Sequence, residues 1–284
     1  MLPALIYVLL FNYAPMYGLQ IAFKDFRSSL GIWRSSWVGL KHFATFIKYP
    51  GFWHVLWNTF SLSAYQLVAG FPAPIILAIL MNEAKHKGYK KTVQMVTYAP
   101  YFISTVVLCG MITLFLNENI GMINNIIASI GGERHSFITD PKAFRTIYVV
   151  SGIWQNAGWG TIIYLATLST VSVDAIEAAR LDGTTRLQKI WYIDLPALVP
   201  TIVILLIMDS GRVLSVGFEK AFLLQNAVNL SSSDIIATYV YRMGLLGAQF
   251  SYSSAIGLFN TAINLVALLA MNTLARRYAE TSLW

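Results

Sequence analysis

The chain has 284 residues, 56% of them hydrophobic and only 12% charged, with a mean hydropathy of +0.59. Soluble domains carry about 25% charge, so this composition excludes an ordinary water-exposed fold and points to lipid. The net charge of +7 suits membrane-flanking loops rather than a nucleic-acid surface, and the single cysteine, Cys109, excludes a disulfide framework, a zinc cluster or a CxxC redox pair.

A bilayer core needs about 20 apolar residues per helix. Six stretches reach that length, from Leu2 to Phe23, Thr59 to Met81, Val93 to Leu116, Thr146 to Leu168, Ala197 to Phe218 and Ser253 to Ala275, and all but the fifth lack Asp, Glu, Lys and Arg. The first begins Met1-Leu2-Pro3 without a basic flank and exceeds a signal-peptide core, so it is expected to be retained. Trp33, Trp37, Phe43, Phe46, Trp53 and Trp57 follow it and predict an interfacial helix with an aromatic belt. Phe71-Pro72-Ala73-Pro74 in the second stretch and Pro100 in the third must interrupt the helical hydrogen-bond ladder.

Continuous apolar runs without two-residue alternation favour helices over a barrel. The expected fold is therefore an all-α membrane protein of six transmembrane helices, one domain over 1–284 with its core bundle at about 59–275. Six spans place both termini on one side of the membrane. Lys85, Lys87, Lys90 and Lys91, crowded into the short 82–92 loop, favour the cytoplasmic side.

Between the fourth and fifth stretches lies a loop at about 169–196 whose local cues agree with one another. Asp174 can cap a helix holding Glu177, Ala178 and Ala179, Gly183 can end it in a left-handed turn, and Thr184 or Thr185 can cap a second helix through Leu187 and Trp191. Pro196 then suits the first turn of the fifth span. Small residues there let another surface approach the backbone, while Glu177, Asp182, Arg180 and Arg186 offer charged contacts. By local physics alone, a docking surface and a solvated connector are equally good readings.

Glu177-Ala178-Ala179 followed by Gly183, Ile193 and Leu195-Pro196 resembles, in every position and spacing, the EAA loop of binding-protein-dependent ABC importer permeases. Gly158 to Leu168, Val216 to Asn226 and Gln249 to Phe259 look like the carbohydrate, maltose-permease-like branch, particularly permeases for oligosaccharides of the uronate or alginate type. Many relatives have a proline in the lead-in to the EAA segment, where this chain has Val171-Ser172-Val173-Asp174. The resemblance implies a type I ABC importer permease fold in a bacterial cytoplasmic (inner) membrane. It implies that Glu177, Ala178, Ala179, Asp182 and Gly183 belong to coupling helices that insert into a cleft of the ATPase. The partners it implies are a second, homologous permease, two ATPase subunits that bind ATP and Mg, an extracytoplasmic solute-binding protein, an oligosaccharide and membrane lipid. No GxxxxGK[ST] sequence occurs, so this chain is not expected to cradle ATP phosphates itself, nor to carry a cofactor or metal of its own.

A charged side chain within a span is a functional candidate by default. Asp209 and Arg212, three apart on one helix face, can neutralise each other or meet a solute. Ser253, Gly257, Asn260 and Asn264 draw one polar stripe along the sixth stretch, suited either to a translocation path or to helix packing. Gln155, Asn156 and Trp159 combine amides with an aromatic face, a pairing that fits sugar hydroxyls and C–H faces. A self-contained channel or secondary transporter would need its own coupling acid and has no use for the EAA-like loop. His42, His54, His86 and His135 lie outside the spans at no metal-ligand spacing, and no nucleophile triad or paired carboxylates suggest an enzyme.

Overall fold

The computed structural model describes residues 2–278, and among them the chain is helical throughout, with one isolated antiparallel bridge between Lys24 and Trp37. Helix α1 (Leu2–Phe23) packs its second half on the last helix and exposes Leu5, Phe11 and Met16, as a lipid-facing span does. The bridge follows, closed by Lys24 Nζ, which donates to the Ile32 carbonyl at 2.8 Å and stands 4.7 Å over the Trp37 ring.

Helix α2 (Lys41–Ile47) corrects part of the expected aromatic belt. Trp33, Trp37, Trp53 and Trp57 are exposed, but Phe46 is buried among Phe52, Tyr239, Tyr252 and Phe259. Its position on the inward side of α2 makes it core rather than anchor.

Helix α3 (Phe52–Glu83) is a single element of 32 residues. The prolines do not sever it, because one π-helical turn at Gln66–Gly70 precedes Pro72, which then occupies the first turn of a new α-segment where its missing N–H is harmless. The third stretch is interrupted at Pro100, as its sequence requires. Helix α4 (Lys87–Phe102) tightens into a 3₁₀ turn at Ala99–Phe102 and meets α5 (Thr105–Phe115) at 101°. Ser104 begins α5 as its N-cap, its hydroxyl accepting from Val107 N–H.

Helix α6 (Pro141–Leu168) is capped by Asp140 and turns through 80° into α7 (Val173–Leu181). Helix α8 (Arg186–Ser210) includes a π-turn at Ile190–Asp194 and carries Pro196 at the start of its following α-segment. It ends at Ser210, eight residues short of the expected Phe218. The backbone beyond it is held from the side: Asn264 Oδ1 accepts from Leu214 N–H at 2.9 Å, and Asn264 Nδ2 donates to Ser215 Oγ at 2.8 Å. A short helix α9 (Phe218–Leu224) follows, and α10 (Phe250–Tyr278) completes the bundle. By length and composition four of these helices can cross a membrane, or six when each bent pair is one span.

The bundle is tight where small residues allow it. At Gly158 of α6 an added Cβ would stand 1.9 Å from the Thr97 carbonyl oxygen, so α4 and α6 meet backbone to backbone. Ala78, Ile79, Tyr164, Leu168 and Leu198 join α3, α6 and α8 at the end near α7. Leu62, Leu108, Cys109, Ile112, Tyr148 and Val149 do the same for α3, α5 and α6 farther along. Polar residues close the opposite end, where Asn58 donates to the Ser231 and Asp234 carbonyls and accepts from Arg145, and Asp234 pairs with Arg242 at 2.6 Å.

Candidate functional site

Two features stand out from this frame: the loop made by α7 and the start of α8, and a polar cavity within the bundle. In the loop, α7 is capped by Ser172, whose Oγ accepts from Ala175 N–H, and not by Asp174 as the sequence reading expected. Asp174 sits in the first turn instead, where its charge still favours the helix N-terminus. Gly183 has φ +77°, its N–H reaches the Arg180 carbonyl at 3.1 Å, and Thr184 N–H reaches the Ala179 carbonyl at 3.0 Å. That pair of bonds is the Schellman ending, which satisfies carbonyls the last turn would otherwise leave bare. Thr185 opens α8 with a reciprocal capping box to Gln188.

Five caps and turn bonds thus hold a short loop rigid while its outer face stays bare. Glu177, Ala178, Asp182 and Gly183 are exposed, Ala179 is half-buried, and nothing lies within 4 Å of the place a Gly183 Cβ would take. Leu181 at the turn is 89% exposed, with Leu187, Trp191 and Tyr192 also exposed beside it. Apolar side chains grouped this way, rimmed by charges, make a surface shaped to be covered. Beneath it, Lys189 Nζ bridges Glu83 and the buried Asp194.

The cavity, of about 480 Å³, lies between α3, α6 and the end of α8. Gln66, Asn156, Tyr164, Asp209 and Arg212 are among its lining residues. Asp209 and Arg212 both face it, and among the described residues no ion pair joins them. The volume falls within the range of small-ligand sites.

The other residues proposed for a solute path lie off its wall. Gln155 Nε2 donates to the Ile103 carbonyl at 2.9 Å, closing the break between α4 and α5. Trp159 stacks on Tyr101 at 4.5 Å with the rings nearly parallel. Asn264 holds the backbone after α8, and Asn260 has a buried Oδ1 without a hydrogen-bond partner. Sequence reasoning missed the buried charges Lys24, Asp194, Lys220 and Asp234 and the partly buried Arg145. The sign available for Lys220 was its place one turn before Leu224 on the apolar face of α9.

A polytopic helical bundle with a rigid, uncovered loop on one end and a polar cavity inside defines a membrane permease that operates through a docked partner. The chain belongs to the family described as binding-protein-dependent transport system inner membrane component, whose model matches residues 70–280. It is similar to the polygalacturonan/rhamnogalacturonan transport system permease protein YteP of Bacillus subtilis (strain 168), 44% identical over 283 residues, covering 100% of this chain and 88% of that protein. Protein LplB of the same organism is 41% identical over 284 residues, covering 100% of this chain and 89% of its own length. The structure of a bacterial alginate ABC transporter in complex with an alginate pentasaccharide-bound periplasmic protein contains a chain of the same fold, with TM-score 0.92, 41% identity, and coverage of 99% of this chain and 94% of that one.

Proposed function

We propose that this chain is one of two permease subunits in an ATP-driven importer for an acidic oligosaccharide. Arg212 carries the reading: it lines the cavity and makes no ion pair among the described residues, leaving donors for a carboxylate of a passing solute. The relatives support it, since the solutes they are named for, polygalacturonan/rhamnogalacturonan and alginate, include acidic sugars. Asn156 lines the same wall and offers its amide to hydroxyls. A tight permanent site would trap the solute, so the useful contact is a weak, transient, charge-assisted one.

The chain acts as a transport subunit rather than an enzyme. ATP and Mg are bound by two partner ATPases, and an extracytoplasmic solute-binding protein delivers the sugar to the mouth opposite the EAA-like loop. That loop, with Glu177, Ala178, Ala179, Asp182 and Gly183, receives the ATPase on the cytoplasmic side, which places both termini there. ATPase closure supplies the free energy that biases inward and outward states, because a ligand indifferent to both shifts neither.

The test is uptake by the assembled importer in proteoliposomes, using short oligogalacturonides and their methyl esters, each loaded on the binding protein. Arg212→Gln should slow the charged oligomers more than the esters while leaving assembly and basal ATP hydrolysis intact. An unchanged ratio in a well-assembled variant would remove the case for an acidic solute.

A further inference from the structure

The structure holds a second cation near the cavity that the reading above does not use. Lys220, on α9, is 8% exposed, and its Nζ donates to the Tyr148 carbonyl of α6 at 2.7 Å while standing 4.7 Å from the Tyr148 ring centroid. It makes no ion pair among the described residues, although its neighbour Glu219 is a carboxylate. A buried ammonium that meets one neutral carbonyl and one ring face is under-compensated. A structural peg between α9 and α6 could be built without charge.

What separates this ammonium from the cavity is a residue with no side chain. Gly152 lines the cavity one turn after Tyr148, and a Cβ built there would stand 3.3 Å from Lys220 Nζ. Val216 and Gly217, just before α9, line the same cavity. The charge therefore sits at the bottom of a notch in the wall, behind a glycine. The ionisable residues on the wall itself are Arg212, Asp209 and Tyr164. With Lys220 added, two cations oppose one carboxylate, and the balance there becomes positive instead of neutral.

We propose that Lys220, lodged behind Gly152, is the second cationic group of the translocation cavity and sets its preference for carboxylate-bearing solutes together with Arg212. It rests on the acidic-solute reading and names a further specificity residue for it. The lysine acts through the field it casts across the Gly152 notch, and as solute passes its ammonium can exchange the Tyr148 carbonyl for a solute carboxylate, one charge-assisted bond replacing a neutral acceptor. A lysine fits this task, since four methylenes let the ammonium swing.

The experiment uses the full complex in proteoliposomes with the same oligogalacturonides and methyl esters, comparing wild type with Lys220→Met and Lys220→Arg. The binding protein's own preference is common to all arms, so any change in the charged-to-ester uptake ratio belongs to the permease. Lys220→Met, close in shape and uncharged, should lower that ratio about tenfold, the size expected for losing one charge-assisted hydrogen bond, and Lys220→Arg should restore most of it. A purely structural lysine would lower both uptakes together and leave the ratio unchanged, and that result overturns the proposal. If Lys220→Met fails to assemble, Lys220→Arg and Gly152→Ala decide, since the added methyl must displace the ammonium without removing it: a shifted ratio in Gly152→Ala supports the proposal and a wild-type ratio refutes it. The failure of the acidic-solute reading looks different, because wild type itself would then show no preference for charged oligomers beyond that of its binding protein and Arg212→Gln would not alter the ratio.

Discussion

Lys189 Nζ stands 2.5 Å from Glu83 Oε1 and so ties the EAA-like loop to the end of α3. The same ammonium reaches Asp194 Oδ2 at 2.9 Å, and Asp194, 1% exposed, has no partner for its other oxygen among the described residues. One cation thus holds two carboxylates from two helices and joins α8 to the end of α3.

Removing that cation leaves two carboxylates facing each other without compensation. Lys189→Met should lower the melting temperature of the assembled complex and the amount of solute moved per ATP hydrolysed. In a double-mutant cycle with Glu83→Gln, the coupling energy should be about 1–3 kcal/mol, the usual size for residues within one ion-pair network. Strictly additive effects would show that the contact transmits nothing.

Gly183→Val tests the loop itself. The residue has φ +77° in open space, so the substitution fails on backbone strain and not on a clash, at a cost of about 1–3 kcal/mol. The spans should insert normally while solute-stimulated ATP hydrolysis and uptake collapse. Gly183→Asn, which tolerates the left-handed region, should retain much of both. Wild-type coupling in the valine variant would mean that the turn takes no part in docking.

Membrane sidedness is open to chemical labelling. In a Cys109→Ala background, cysteines at the exposed positions Lys87 and Glu133 should react with an impermeant maleimide from opposite faces, Lys87 from the cytoplasm. Reaction of both from one face would overturn the six-span topology.

The close approach of α4 and α6 makes a sharper claim about packing. Gly158→Ala drives a methyl into the Thr97 carbonyl, 1.9 Å away, and should destabilise the bundle by about 1–3 kcal/mol through helix separation. Thermal unfolding of the detergent-solubilised complex would measure it, and an unshifted transition would deny the contact.

The loop was legible because its determinants are local. Gly183 and a threonine cap each act within a few residues, so the sequence named the turn and left Thr184 and Thr185 open for the second cap; the first cap was placed at Asp174, where Ser172, two residues earlier, holds it. Pro100 marked the break between α4 and α5, but its 101° angle was hidden because hydropathy measures how apolar a stretch is and carries no information on its direction. Asn264, read as part of a polar stripe, turned out to hold a segment some fifty residues earlier in the chain, between Leu214 and Ser215. Lys220 is buried against Tyr148 of another helix, so no window of sequence could show its surroundings.

Helix α8 runs unbroken from Arg186, just after the exposed turn, to Ser210, one residue past Asp209 in the cavity. At 1.5 Å per residue this is a connecting rod of roughly 35 Å, continuous through the π-turn at Ile190–Asp194 and past Pro200. A tilt of about 10° imposed at its outer tip would carry the opposite tip through roughly 6 Å if the rod pivots near one end. The rod stops at Gly211–Gly217, where turn bonds to the Asp209, Ser210 and Arg212 carbonyls and the Asn264 side-chain amide hold the chain, so the stroke of the machine ends on the stretch that carries Arg212.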